Sequence, residues 1–114
     1  MEWPEDQIEE LKDFVGEVQI AEEGGKVYFL IPILQLPEQC KPNAVRALLC
    51  PTPRDGYKYR LFFAQIIEKP QGRLNWNSKN QRILEENWFA FSWRINRNNL
   101  RLSQIVADHL RGLR

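Results

Sequence analysis

The sequence predicts an α+β fold: an N-terminal helix, an antiparallel four-stranded meander, a long loop with an extended aromatic segment, and a C-terminal helix. Three observations predict it. Apolar residues recur at helical spacing near both ends of the chain. Between them run several β-type segments bounded by Gly, Pro and Asp turn signals. The strands follow one another without intervening helices, which favours antiparallel pairing over a parallel α/β sheet. The 114 residues suit one domain spanning positions 1–114, long enough to bury roughly two-thirds of its unfolded surface.

The first helix is expected over Pro4–Val15. Pro4 suits a first turn, where its missing N–H costs nothing, and Glu5 and Asp6 complement the helix dipole. Ile8, Leu11, Phe14 and Val15 share a face, and Gly16 stops the helix. Glu17–Ile20 and Lys26–Ile33 read as two strands joined across A21-E-E-G-G25. Val27–Ile33 is apolar on both alternating faces and so predicts a strand covered on both sides. Pro32 cannot donate to a ladder, so it marks a strand end, an edge or a bulge.

Ala44–Cys50 is the third predicted strand and Tyr57–Ile67 the fourth, with P51-T-P-R-D-G56 turning between them. Residues 73–87 are polar, with scattered apolar anchors, and predict a long loop with a helical turn near Gln81–Glu86. Trp88–Ile95 alternates, with Phe89, Phe91, Trp93 and Ile95 on one side, and reads as a strand or extended segment. The last helix runs from Leu100 or Ser103 to Leu113, capped by Asn99 or Ser103. Leu102, Ile105, Val106, His109 and Leu113 form its apolar face.

Charge is segregated although the net charge is only +1. Residues 1–25 hold nine acids and one base, and residues 68–114 hold nine bases and four acids. This predicts an acidic and a basic surface, attracting each other or facing two partners. A nucleic-acid binder usually carries a larger basic excess. The acidic start and the lack of a long apolar run predict no signal peptide and no membrane span, hence a cytoplasmic protein.

The chemistry on offer is narrow. Cys40 and Cys50 do not form a metal-ligand pattern, and no metal or cofactor is expected. Cys50 ends an apolar strand and reads as a buried thiol. Cys40 sits in a polar turn beside Lys41, whose charge would lower a thiol pKa, so Cys40 is the reactive-thiol candidate. The single histidine, His109, lies on the apolar face of the last helix and reads as a core residue. No Ser-His-Asp, Cys-His, Walker or Gly-x-Gly-x-x-Gly pattern is present. Trp76, Trp88 and Trp93 fall within eighteen residues. They build core, or one of them forms a binding patch with Arg94, since Trp and Arg are enriched in hot spots.

V27-Y-F-L-I-P-I-L-Q-L-P37, A44-V-R-A-L-L-C-P51, Y59-R-L-F-F-A-Q-I-I67 and the W88-F-A-F-S-W-R-I95 end resemble a bacterial ubiquitin-conjugating-like family with the UBC fold. The resemblance implies a helix, an antiparallel meander, an extended segment and further helix. That family places its catalytic cysteine after the fourth strand, preceded by His-Pro-Asn. Here residues 68–114 contain no Cys, and L74-N-W-N77 stands in the corresponding region. A thioester needs a thiol, so the resemblance implies a variant without that cysteine and leans away from an enzyme. It points to a binding or adaptor domain in a bacterial ubiquitin-like modification or defence system. The expected partner is a protein, of ubiquitin-like or activating-enzyme-like kind. The expected binding residues are Tyr57, Trp76, Asn77, Trp93 and Arg94. Two further readings compete. One is a small nucleic-acid-binding domain using Arg73, Lys79, Arg82, Arg94, Arg97 and Arg101 with the aromatic segment. The other is a cysteine enzyme using Cys40 or Cys50.

Overall fold

The computed structural model describes residues 3–114. Helix α1 spans Glu5–Val15. The Pro4 carbonyl accepts the Gln7 and Ile8 amides, and Gly16, at φ 91°, turns the chain out while its N–H returns to the Lys12 carbonyl. Leu11 is fully buried, with Ile8 and Val15 half-buried beside it. Phe14, expected on that face, is exposed. At about 100° per residue it lies at the edge of the stripe, on the side of Leu11 away from Ile8 and Val15.

Strands β1 (Gln19–Glu23) and β2 (Lys26–Gln35) form a hairpin. The connection is a two-residue turn, with Gly24 and Gly25 at φ 60° and 79°. Two consecutive positive φ angles are what a tight type I′ reversal requires, so β1 extends further than expected. Val27 to Ile31 are all buried, and the ladder to β3 (Ala44–Cys50) shifts register between Ile31 and Leu34. Pro32 sits in that irregularity, as its missing donor dictates, and Ile33 is thrown outward.

Strand β4 is shorter than expected, covering only Arg60–Phe63. The preceding residues close on themselves instead: Arg54 and Tyr57 exchange both backbone hydrogen bonds, at 2.9 and 3.0 Å, around Asp55 and Gly56. The polar stretch expected as a loop is a hairpin, and there is no helical turn at 81–86. Strand β5 (Ser78–Ile83) and strand β6 (Glu86–Ala90) join through Leu84 and Glu85, both at positive φ. The turn has the geometry of an Asn-Gly reversal without its sequence signature, and β5 is polar and mostly exposed. Both features hide it from a reading of periodicity. The expected four-stranded meander is therefore replaced by a six-stranded antiparallel sheet in the order β1-β2-β3-β4-β6-β5.

After Ala90 the chain makes no strand pairing before α2, Leu102–Arg111, and it bends at Asn98–Asn99, where Asn99 takes φ 57°. Neither Asn99 nor Ser103 caps α2. Gln104 accepts the Arg101 N–H at 2.8 Å, and Ser103 instead donates to Glu10 of α1 at 2.6 Å. Arg101 also binds Glu10 and Asp6, so part of the segregated charge meets between the two helices.

The sheet buries both faces. On one, α1 and α2 cover Phe29, Ile31, Ala47, Leu49, Leu61 and Phe63. On the other, Tyr28, Leu30, Leu48, Cys50 and Phe62 are covered by Ile83 and Trp88, because the β5–β6 hairpin curls over. Two polar contacts hold the curl: the Leu84 N–H donates to Glu23 at 3.1 Å, and Arg46 binds both oxygens of Glu86 at 2.9 and 3.0 Å. Within the hairpin, Trp88 Nε1 donates to the Ile83 carbonyl at 2.9 Å. Among the described residues no helix is long and apolar enough to cross a membrane.

Candidate functional site

The segments 54–60, 75–78 and 92–94 meet at the side chain of Tyr57, which is 7% exposed. The reversal at Asp55-Gly56 delivers Tyr57, β4 begins with Arg60, the entry to β5 supplies Asn77, and the extended stretch after β6 supplies Ser92 and Arg94. Asn77 Nδ2 donates to the Tyr57 hydroxyl at 2.7 Å, and Ser92 Oγ lies 2.8 Å from the same oxygen. Arg60 donates to Asn77 Oδ1 at 2.7 Å. Two guanidiniums stack on the ring: Arg60 Cζ at 4.2 Å from its centroid and Arg94 Cζ at 4.7 Å. Arg94 also donates to the Gly56 carbonyl at 3.1 Å. A tyrosine face attracts a cation through its quadrupole, so the pair of arginines orders the ring as well as charging the site.

The electrostatics follow from these contacts. The hydrogen bond with Ser92, that from Asn77, and the charges of Arg60 and Arg94 hold the Tyr57 phenol below its ordinary pKa, against the opposing effect of burial. Arg60 is 3% exposed, and burial pulls its pKa down. Asn77 and Arg94 are exposed and form the rim. The site is thus a buried cation and an aromatic ring beneath an exposed amide and guanidinium. It can bind by hydrogen bonding and charge.

Of the five residues expected to bind, Tyr57, Asn77 and Arg94 come together here. Trp76 and Trp93 are half-buried in the helix-side core instead. Trp76 meets Phe63 and Phe91 edge-on, at 5.9 and 5.3 Å between centroids. Trp93 donates its indole N–H to Asp108 of α2 at 2.8 Å and packs edge-on against Phe91. Arg60 and Ser92 belong to the cluster and were not singled out by sequence. The only signal for Arg60 was a charge placed inside the apolar run Y59-R-L-F-F63, where a strand residue must point into one of two buried faces.

The Cys40 expectation is corrected. Its thiol is 3% exposed, with Sγ 3.2 Å from the Leu113 carbonyl. Burial raises its pKa, outweighing the nearest cation in effect, which is Lys69 rather than Lys41. The turn looked polar in sequence, but the C-terminal segment closes over it. Cys50 is fully buried, as expected. His109 is buried in the helix-side core, its Nδ1 2.9 Å from the Ile105 carbonyl, and desolvation lowers its pKa to about 4. Among the described residues no group of three or more His, Cys, Asp or Glu side chains is placed to hold a metal ion.

Comparison with known proteins finds no match: no family model, no curated protein and no solved structure matches this chain.

Proposed function

We propose that this chain is a non-catalytic binding domain of UBC-like kind, an adaptor in a bacterial ubiquitin-like modification or defence system, and that Tyr57, Asn77 and Arg94 form its docking face. The observation that carries the reading is the convergence of three distant segments on one ordered polar cluster with an exposed rim. The resemblance in sequence supplies the kind of partner, a ubiquitin-like or activating-enzyme-like protein. The lack of any Cys in residues 68–114, with both thiols buried elsewhere, supports binding over thioester transfer.

The test uses variants at the exposed rim, because Trp76→Ala would also open a gap beside Phe63 and Phe91. Wild type, Asn77→Ala and Arg94→Ala are used as baits in the source cell. A small β-grasp protein or an activating-enzyme-like protein retained by wild type and lost by both variants is the expected result. Equal retention by all three removes this face from the proposal. The stacked arginines also favour a second reading, binding of single-stranded nucleic acid. Recovery of nucleic acid whose binding weakens steeply with salt would select that reading instead.

A further inference from the structure

The stack at Tyr57 continues inward. Arg60 Cζ lies 5.7 Å from the Phe62 centroid, and Arg54 Cζ lies 5.7 Å from the same ring. Three guanidiniums therefore alternate with two rings in the order Arg54, Phe62, Arg60, Tyr57, Arg94. Ring faces attract these cations without neutralising them.

The stack is short of acids. Asp55 is 3.6 Å from Arg54 Nε, within ion-pairing range but too long for a hydrogen bond. Arg54 Nε is buried with no hydrogen-bond partner among the described residues, while Nη1 donates to the Tyr28 hydroxyl at 2.8 Å. Among the described residues, no carboxylate pairs with Arg60 or Arg94 within 4.0 Å. An arginine as buried as Arg60 is ordinarily paired. With Asp55 as the one carboxylate in its ion pairs, the stack keeps an excess of two positive charges. Elsewhere Arg46, Arg97 and Arg101 meet carboxylates at 3.0 Å or less.

We propose that this stack binds a phosphate monoester group, seated at the Asn77–Arg94 rim over the buried charge of Arg60. A monoester carries about −1.5 to −2 charges at neutral pH, which matches the excess. A carboxylate or a phosphodiester carries one and leaves the stack unbalanced. Guanidinium forks donate in a plane that suits phosphate oxygens. Arg94 spends one donor on Gly56 and has others to offer, and Asn77 Nδ2, with one hydrogen on the Tyr57 hydroxyl, has its second to give. The inference rests on the reading of the Tyr57 face as the docking surface and names the chemistry of the group it receives.

The experiment titrates the intact, isotopically labelled chain at fixed ionic strength with O-phosphoserine, inorganic phosphate and dimethyl phosphate. The arginine Nε–H and asparagine amide signals are followed by NMR. Phosphoserine or inorganic phosphate should shift the Arg60, Arg94 and Asn77 signals. Dimethyl phosphate should bind roughly ten-fold more weakly or worse. Arg94→Gln should weaken the monoester by a similar factor, whereas Lys12→Gln, which removes the same charge from α1, should not. Tighter binding of phosphoserine than of phosphate marks a phosphorylated side chain as the source, and the reverse order marks the free ion. No shift with either monoanion-to-dianion probe, equal binding of the diester, or equal effects of the two variants overturns the inference. The docking face fails separately. Partner capture lost in Arg94→Gln without phosphate binding overturns the phosphate inference alone. Phosphate binding abolished by Arg94→Gln with partner capture intact supports it and overturns the docking face.

Discussion

At the residue scale, two buried polar side chains show how one surrounding can serve structure and another a site. His109 is enclosed by the helix-side core beside Phe91, and its pKa falls from 6.5 to about 4 because the charged form is desolvated. The unfolded chain takes up the proton near pH 6.5, whereas the folded chain resists it until about pH 4. The histidine's stabilising effect is therefore complete above pH 6.5 and is lost as pH falls toward 4. The loss should reach about 3 kcal/mol by pH 4. Denaturant unfolding of wild type and His109→Gln between pH 7.5 and 4 checks this. The difference between the two should change across that interval, and parallel curves would show that His109 is not held neutral. Arg60 is equally buried but cannot give up its proton in this range. It must be balanced by neighbours or by a ligand, which is why it points to function where His109 points to packing.

At the scale of elements, the β5–β6 hairpin departs furthest from local propensity. Leu84 and Glu85 adopt φ of 54° and 65°, a region that costs a residue with a side chain roughly 1 kcal/mol or more. The hairpin forms because Ile83 and Trp88 on its inner side reach the second core. Glu85 is exposed, so its side chain contributes little packing. Glu85→Gly should therefore raise stability by about 0.5–1 kcal/mol, relief of strain exceeding the added chain entropy. An upward shift of the urea midpoint with an unchanged slope is the expected result. A fall would mean that Glu85 makes a contact worth more than its strain.

At the scale of the whole molecule, the curl of the sheet decides which strands are protected. Strand β3 is paired on both sides and covered on both faces, whereas β1 and β5 are edges with largely exposed side chains. Native-state hydrogen exchange should show the slowest amides in β2, β3 and β4, and markedly faster ones in β5. Slow exchange throughout β5 would indicate that its free edge is covered in solution by a partner or a second copy.

Much of this architecture was legible before folding was considered. Periodicity located both helices, the tight Ala44–Cys50 strand and the irregularity at Pro32, because each rests on local geometry: 3.6-residue spacing, alternation, or a missing N–H. Turn chemistry located the reversal at Asp55-Gly56. Arg94 entered among the residues of interest on its type and its aromatic neighbours, and Tyr57 and Asn77 through the family resemblance. What the sequence by itself determined was thus the order of elements as far as β4, the closing helix, and the absence of a thiol after residue 50. Tertiary structure alone decided the rest. It turned the polar 78–90 stretch into a hairpin, since packing of Trp88 on the second face outweighs the local cost of its turn. It buried Cys40 beneath the C-terminal segment and reversed its expected pKa shift, because desolvation depends on what closes over a group and not on its neighbour in sequence. It also drew Arg60 under Tyr57 and left it without an acid, a deficit of charge that emerges only when residues far apart in the chain share one small volume.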